Sequence, residues 1–402
     1  MQLFLRGLYG VIAWLLSAPV GRFIVPPRFR RVRITNSPGR GSVESGVFYP
    51  ASAAVVSRCQ ELGADFVTPE PEEFPEVGWS VWENVEVTNN RYFPYLLSSD
   101  QLMLGPRRLP GPYKVLAKRN RVVWAHGDEA LVNRKQGERM RIEKGIFLGG
   151  RDFTNWYHWL VDGLPALHLA NSLPDHLRNW PVLVPEQIYR YPTMIDALDL
   201  FREHRDVIVM PEWAMVQAKK LVWIDPLEVS NIPKTGALTE KEPRIHLLHR
   251  EGMESYRDVY LDAYAPEAVT PHRRIVLARE GGRRSYNQEE VLAVAAEFGF
   301  EPVFPEKLTL AEQVRTFREA SHVLGPSGAG FAGMLFAQPG TSALCWQDTR
   351  LRFMTILPDL ATLNHAEYWH IFYRSHEDNG LFRSSYTLEE SWLRESLTRW
   401  LG

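Results

Sequence analysis

Across 402 residues the chain sets 46 Lys and Arg against 48 Asp and Glu, a formal net charge of -2, with 45% hydrophobic and 23% charged residues. That balance excludes compositional disorder and offers no global basic field for nucleic acid, while the length exceeds what one ordinary core fills, so two or three domains are expected. The two cysteines, Cys59 and Cys345, exclude a disulfide framework and a cysteine-rich zinc site and point to a reducing compartment.

The first segment, Leu8 to Val20, is apolar but shorter than the roughly 20 residues a membrane-spanning helix needs. Arg6 and Arg22 flank it, and Arg28, Arg30, Arg31 and Arg33 follow. Three readings fit: a secretion signal, an interfacial helix backed by a basic patch, or a buried helix of the first domain. The second would give residues 1–33 peripheral contact with a membrane. From Val43 to Arg141, short β-like runs broken by Pro, Gly and Asn predict an antiparallel sheet or accessory layer.

From Lys144 the texture changes. GIFLGG reads as a strand ending in glycines, and TNWYHWLVDGLPALHLANSL as a helix capped by Thr154 or Asn155. PVLVP, VIVMP and LVWID follow as apolar strands between helical stretches, the alternation of a mainly parallel α/β sheet. Residues 233–271, rich in charge and proline, read as a linker. A second alternating series starts at RRIVLAR and runs through NQEEVLAVAAEFG, EPVFPE, TLAEQVRTFREA, HVLGPSGAG, FAGMLFAQPG and TSALCWQ, a β-α-β-α-β-α-β order predicting a Rossmann-like domain. LEESWLRESLTRWL closes the chain as a helix packing back onto the body.

Three constellations carry chemistry. On a helix, His158 and Asp162 share a face with Asn155 one turn earlier; a carboxylate beside an imidazole fixes its tautomer, and either group suits a general base. The alternative is an ordinary i,i+4 surface pair, although Trp156, Trp159, Leu160 and Leu164 surround the pair with apolar bulk. Pro165 should kink or end the helix. The second is the arginine series Arg273, Arg274, Arg279, Arg283 and Arg284, running into Asn287 and Glu290; guanidinium groups beside a helix N-terminus form an anion site, and a solvated basic loop is the bland alternative. The third is the turn Gly325, Pro326, Ser327, Gly328, Ala329 and Gly330, where strand passes to helix. The chain shows neither a P-loop nor a G-x-G-x-x-G after the first strand of the series, and no HExxH, DxD or His/Cys set, so metal catalysis is not suggested.

Taken together, NWYHWLVDGLPAL, RRIVLAREGGRRSYNQEEV and FPEKLTLAEQVRTFREASHVLGPSGAGFAGMLFAQPGT resemble glycosyltransferase family 61, over about residues 144–345. The resemblance implies an α/β fold of two Rossmann-like domains facing a cleft (the GT-B arrangement), with the β-rich N-terminal region accessory to them. It also implies inverting transfer without a metal or resident cofactor, from a nucleotide-sugar donor, UDP-linked in known relatives, to a glycan or glycolipid acceptor. Many bacterial relatives lie near capsule or surface-polysaccharide genes. By this resemblance Asp162 or His158 is the base, Asn155 supports the acceptor side, and Arg279, Arg283, Arg284, Asn287 and the turn Gly325, Ser327, Gly328, Ala329 and Gly330 hold the diphosphate. This chain departs from the family at Ser327, Phe331 and Gly333, where GPHGAGL followed by Asn is common, and reads SALCWQ where a glutamate is frequent.

The expected division is 1–40 an apolar and basic segment, 41–265 the acceptor-side domain, 266–375 the nucleotide-sugar domain and 376–402 the closing helix. A cytoplasmic protein, peripheral at the inner membrane face on the interfacial-helix reading, follows. The competing function is a degenerate sugar-nucleotide or glycan-binding scaffold of a polysaccharide synthesis complex; a sugar-phosphate hydrolase would need a metal or nucleophile that the sequence does not display.

Overall fold

The structure is a computed structural model that describes residues 29–402 apart from 36–40, 58–59, 66–68, 89–95, 99–100, 104–121, 127–128, 134–138, 150–151, 213, 231–245, 268, 282–284, 353–354 and 376–384. The apolar stretch Leu8 to Val20, Cys59, Arg283 and Arg284 therefore lie outside the described residues. It is a mixed α/β chain built on several sheets.

Strands Arg139–Phe147, Val182–Pro185, Val207–Met210 and Met215–Ile224 run parallel, in the spatial order third, second, first, fourth. Val182–Pro185 is buried at every position, as a strand covered on both faces must be. Met215–Ile224 then pairs antiparallel with Val77–Thr88, Leu221 lying opposite Trp82. Much of the β-rich N-terminal region is thus continuous with the parallel strands in one sheet, eleven-stranded among the described residues, while Ser52–Val55 and Glu73–Phe74 belong to another.

The second sheet is parallel throughout. Glu301–Val303, Arg273–Leu277, Ala320–Pro326, Ser342–Asp348 and Glu367–Tyr373 stand side by side, the chain order 2-1-3-4-5, and Gln60–Glu61 adds a parallel edge strand beside Trp369 and His370. Its two faces alternate along each strand. Val276, Leu324 and Leu344 share an apolar cluster with Val291, Val294, Leu393 and Leu397 from helices Gln288–Glu297 and Glu390–Leu401. Ile275, Val323 and Cys345 face Val314, Phe317 and Phe331, from helix Leu310–Glu319 and the 3₁₀ segment Ala329–Phe336. Helix Leu310–Glu319 opens on a full capping box between Thr309 and Glu312.

Two sequence expectations need correction. The stretch expected as a linker contains strand His246–His249 and the fifteen-residue helix Arg250–Tyr264. Its buried stripe is only Met253, Tyr256 and Tyr260 with Gly252, too narrow to stand out among charged neighbours. FAGMLF forms 3₁₀ rather than α-helix. A Cβ at Gly333 would sit 2.1 Å from the Phe317 ring, so this turn packs at a distance that only glycine permits. Phe317 fills the volume that any side chain at position 333 would need.

One apolar cluster runs from Val77 and Trp159 in the first sheet's territory to Phe336 and Tyr368 in the second's. At the carboxyl ends of the strands, Thr193 Oγ1 donates to the Leu308 carbonyl at 3.4 Å and Tyr157 Oη donates to the Ile356 carbonyl at 3.3 Å. Loops leaving the carboxyl edges of both sheets therefore touch.

Candidate functional site

The chain leaves the carboxyl end of Arg139–Phe147 through Gly149 and Asp152, both with left-handed backbones at φ +75° and +44°. Asp152 is the costly one of the two, and its carboxylate accepts from Thr154 Oγ1 at 2.7 Å. The turn delivers Asn155 as the helix cap: its side-chain oxygen accepts from the Tyr157 amide at 3.0 Å. Asn155, expected to support an acceptor, spends that oxygen on the helix.

The helix that follows is not the regular one expected. His158–Gly163 is a π segment, in which the Leu164 amide reaches back five residues to the Trp159 carbonyl, and Leu164–Ala170 continues as α-helix. Pro165 does not end it, because a proline is tolerated in the first turn of the α portion. Such bulges concentrate at functional sites. Within it His158 Nδ1 lies 2.8 Å from Asp162 Oδ2. The Asp162 side chain has no exposed surface, while that of His158 keeps 17%. Nδ1–H donates to the carboxylate, leaving the Nε2 lone pair as the acceptor. Trp159 anchors the helix by donating from Nε1 to the Met194 carbonyl at 3.0 Å.

Asp225 ends strand Met215–Ile224, on the other side of Arg139–Phe147 from Val182–Pro185. Its carboxylate accepts from the Gly78 amide at 3.1 Å and from Trp223 Nε1 at 3.2 Å. Burial is the dominant influence and pushes its pKa up to about 7. Its isolated position in an alternating apolar strand gave no signal of this.

In the second sheet, the strand order reverses between Arg273–Leu277 and Ala320–Pro326, the switch point where ligands gather in parallel α/β sheets. The arginine loop and the glycine turn meet there: Arg279 Nη2 donates to the Ser327 carbonyl at 2.9 Å. Gln288 grips the Arg279 peptide from both sides, accepting from its amide and donating to its carbonyl, each at 2.8 Å. Sequence reasoning passed over Gln288 because it reads as an ordinary first-turn helix residue. Ser327 is buried, and its hydroxyl donates to Gln347 Oε1 at 2.8 Å. Gly328, Ala329 and Gly330 are half-buried at the start of the 3₁₀ segment, where no side chain caps the backbone amides. Gly325 serves packing: a Cβ there would approach the Leu277 Cβ to 2.8 Å.

Two other members of the arginine series, Arg273 and Arg274, do not join this point. Arg273 pairs with Glu301 at 2.6 Å and Glu319 at 2.9 Å, and Arg274 donates to the Phe298 carbonyl at 2.9 Å. Both begin a strand whose far end leads to Arg279, and a strand advances about 3.3 Å per residue, so the series splits between opposite edges of the sheet. Asn287 clamps the Leu388 backbone, donating to its carbonyl at 3.0 Å and accepting from its amide at 2.9 Å, which ties the closing segment to the domain. Among the described residues, no group of three His, Cys, Asp or Glu side chains is arranged to hold a metal ion, and no helix is long and apolar enough to cross a membrane.

An imidazole–carboxylate pair stands at one carboxyl edge and an arginine-braced glycine turn at another, where α/β sheets collect ligands. Residues 156–344 match the Glycosyltransferase 61 family model. The chain carries a family 61 domain and is a glycosyltransferase, an enzyme class that takes a nucleotide-sugar donor and a glycan acceptor. No curated protein matches the chain.

Proposed function

We propose that this glycosyltransferase works with inversion and without a metal or resident cofactor, moving a sugar from a UDP-linked donor to a polysaccharide or glycolipid acceptor. The observation that carries the mechanism is the unequal burial of the pair: Asp162 has no exposed side-chain surface, and His158 alone reaches outward. His158 Nε2 takes the acceptor hydroxyl proton, and Asp162 holds the tautomer and stabilises the imidazolium that forms. The acceptor oxygen then bonds to the anomeric carbon as the bond to the leaving diphosphate breaks, giving inversion in one in-line displacement.

Charge on the leaving diphosphate is met by Arg279, by Arg283 and Arg284 of the same loop, and by the backbone amides of Gly328, Ala329 and Gly330. The contacts Thr193–Leu308 and Tyr157–Ile356 between carboxyl-edge loops support a GT-B-type arrangement in which donor and acceptor sides open on one cleft. A cytoplasmic location, with the apolar and basic segment that precedes strand Phe29–Thr35 against the inner membrane face, suits a glycolipid or nascent polysaccharide acceptor.

The buried, inward-turned hydroxyl of Ser327 favours a second reading, a scaffold that binds sugar nucleotide or glycan without transfer. A thermal-shift screen against UDP, GDP, CMP and TDP with and without EDTA, followed by transfer assays, separates the two. The transferase reading expects a shift with UDP that EDTA leaves unchanged, and product formation that His158→Gln lowers by roughly two to four orders of magnitude. A UDP shift without transfer to any acceptor would favour the scaffold, and EDTA-sensitive binding would refute metal independence.

A further inference from the structure

We infer that Tyr256 is a positioning residue for the His158–Asp162 pair: its hydroxyl supplies the hydrogen bond that Pro165 cannot make, and so holds the helix in the wide turn that sets the pair. The inference rests on the proposed role of His158 as base.

In the π segment, amides reach back five residues, as Leu164 does to Trp159. The next bond in that series would join residue 165 to the Leu160 carbonyl, and Pro165 has no amide hydrogen. Tyr256 Oη lies 2.7 Å from the Leu160 carbonyl and donates to it. The hydroxyl proton is thereby committed, so in the 2.7 Å contact between Tyr256 and Tyr260 it is Tyr260 that donates. Burial holds both phenols far above their ordinary pKa, which keeps both protons in place over any working pH. Tyr256 is wholly buried and packed against Phe201 and Tyr260, with ring centroids 5.0 and 5.2 Å away, so its hydroxyl has little freedom to leave Leu160.

The selectivity follows from where proline leaves its gap. In a regular α-helix the carbonyl orphaned by Pro165 is that of Val161, four residues back, and Leu160 would bond to the Leu164 amide instead. In the wide turn the Leu160 carbonyl lacks the residue-165 amide and Tyr256 replaces it, whereas in the α form the Leu164 amide already serves it. The tyrosine thus favours the π form over the α form, and reversion to α would rotate His158 and Asp162 relative to the rest of the site. Helix Arg250–Tyr264, from the stretch whose charge suggested a linker, acquires a role in the transfer step.

The experiment compares Tyr256→Phe, Tyr260→Phe and the double variant Tyr256→Phe/Pro165→Ala in the full chain. Each is followed by transfer kinetics with donor varied and by hydrogen exchange over residues 156–170. Tyr256→Phe should lower kcat roughly 10- to 100-fold with donor KM unchanged, and speed exchange from Trp159 to Leu164. Tyr260→Phe removes an equally buried hydroxyl without touching Leu160, and kcat should stay within about threefold of the parent. Pro165→Ala supplies an amide to Leu160 in the wide turn and to Val161 in the α form, so the double variant should regain slow exchange, with kcat recovered where the wide turn is kept. Unchanged kcat and exchange in Tyr256→Phe, equal losses in both tyrosine variants, or exchange that stays fast in the double variant would overturn the assignment. Absence of transfer by the parent chain overturns the proposed function only; the exchange pattern and its recovery then decide the tyrosine's role by themselves.

Discussion

Asp225→Asn should remove one large pH-dependent contribution to the stability of this protein between pH 5 and 8. Burial raises the Asp225 carboxyl from the ordinary 3.8 to about 7, opposed only in part by its bonds from Gly78 and Trp223, while Glu76 adds to the rise. The sign follows by linkage. A carboxyl with a raised folded-state pKa makes its full contribution to stability below about pH 4, and that contribution is lost as pH rises through about 7. A shift of about three units at 1.36 kcal/mol each amounts to roughly 4 kcal/mol lost by pH 8.5, with about 3 kcal/mol of it lost between pH 5 and 8. The asparagine variant keeps an acceptor for the Gly78 amide and never ionises, at a cost of about 1–3 kcal/mol for placing its amide hydrogens. Urea unfolding at pH 5 and 8.5 should find the parent stronger than, or level with, the variant at pH 5, and weaker at 8.5. Parallel pH profiles for the two proteins would refute the reasoning, because they would mean that Asp225 does not titrate in this range.

Asp162→Asn removes the anion that holds His158 while nearly preserving shape, so kcat should fall roughly 10²–10⁴-fold with donor affinity intact; weakened donor binding at unchanged turnover would contradict the assignment. Gln288→Ala frees both sides of the Arg279 peptide, and donor Kd by calorimetry should rise about tenfold or more, with kcat at saturating donor little changed. Gly333→Asn forces a side chain into the Phe317 ring and should cost at least about 1–3 kcal/mol in urea unfolding, of which Phe317→Ala in the same chain recovers part by making room.

The residues themselves determined much of this protein. Continuous apolar runs such as the IVL of RRIVL and PVLVP, separated by stretches with helical spacing, make parallel α/β sheets, since strands buried on both faces must be apolar throughout. Thr309 and Glu312 set a helix start by local chemistry alone, and the i,i+4 spacing of His158 and Asp162 brought the two within reach of each other. Tertiary structure decided what local rules leave open. Whether Arg273 and Arg279 act together depends on strand direction, which puts them at opposite edges. Whether the region before Arg141 is a separate layer depends on the pairing of Val77–Thr88 with Met215–Ile224, two segments more than a hundred residues apart. The bulge in the helix depends on a tyrosine from helix Arg250–Tyr264, because a proline marks where an amide hydrogen is missing but not which distant hydroxyl will replace it.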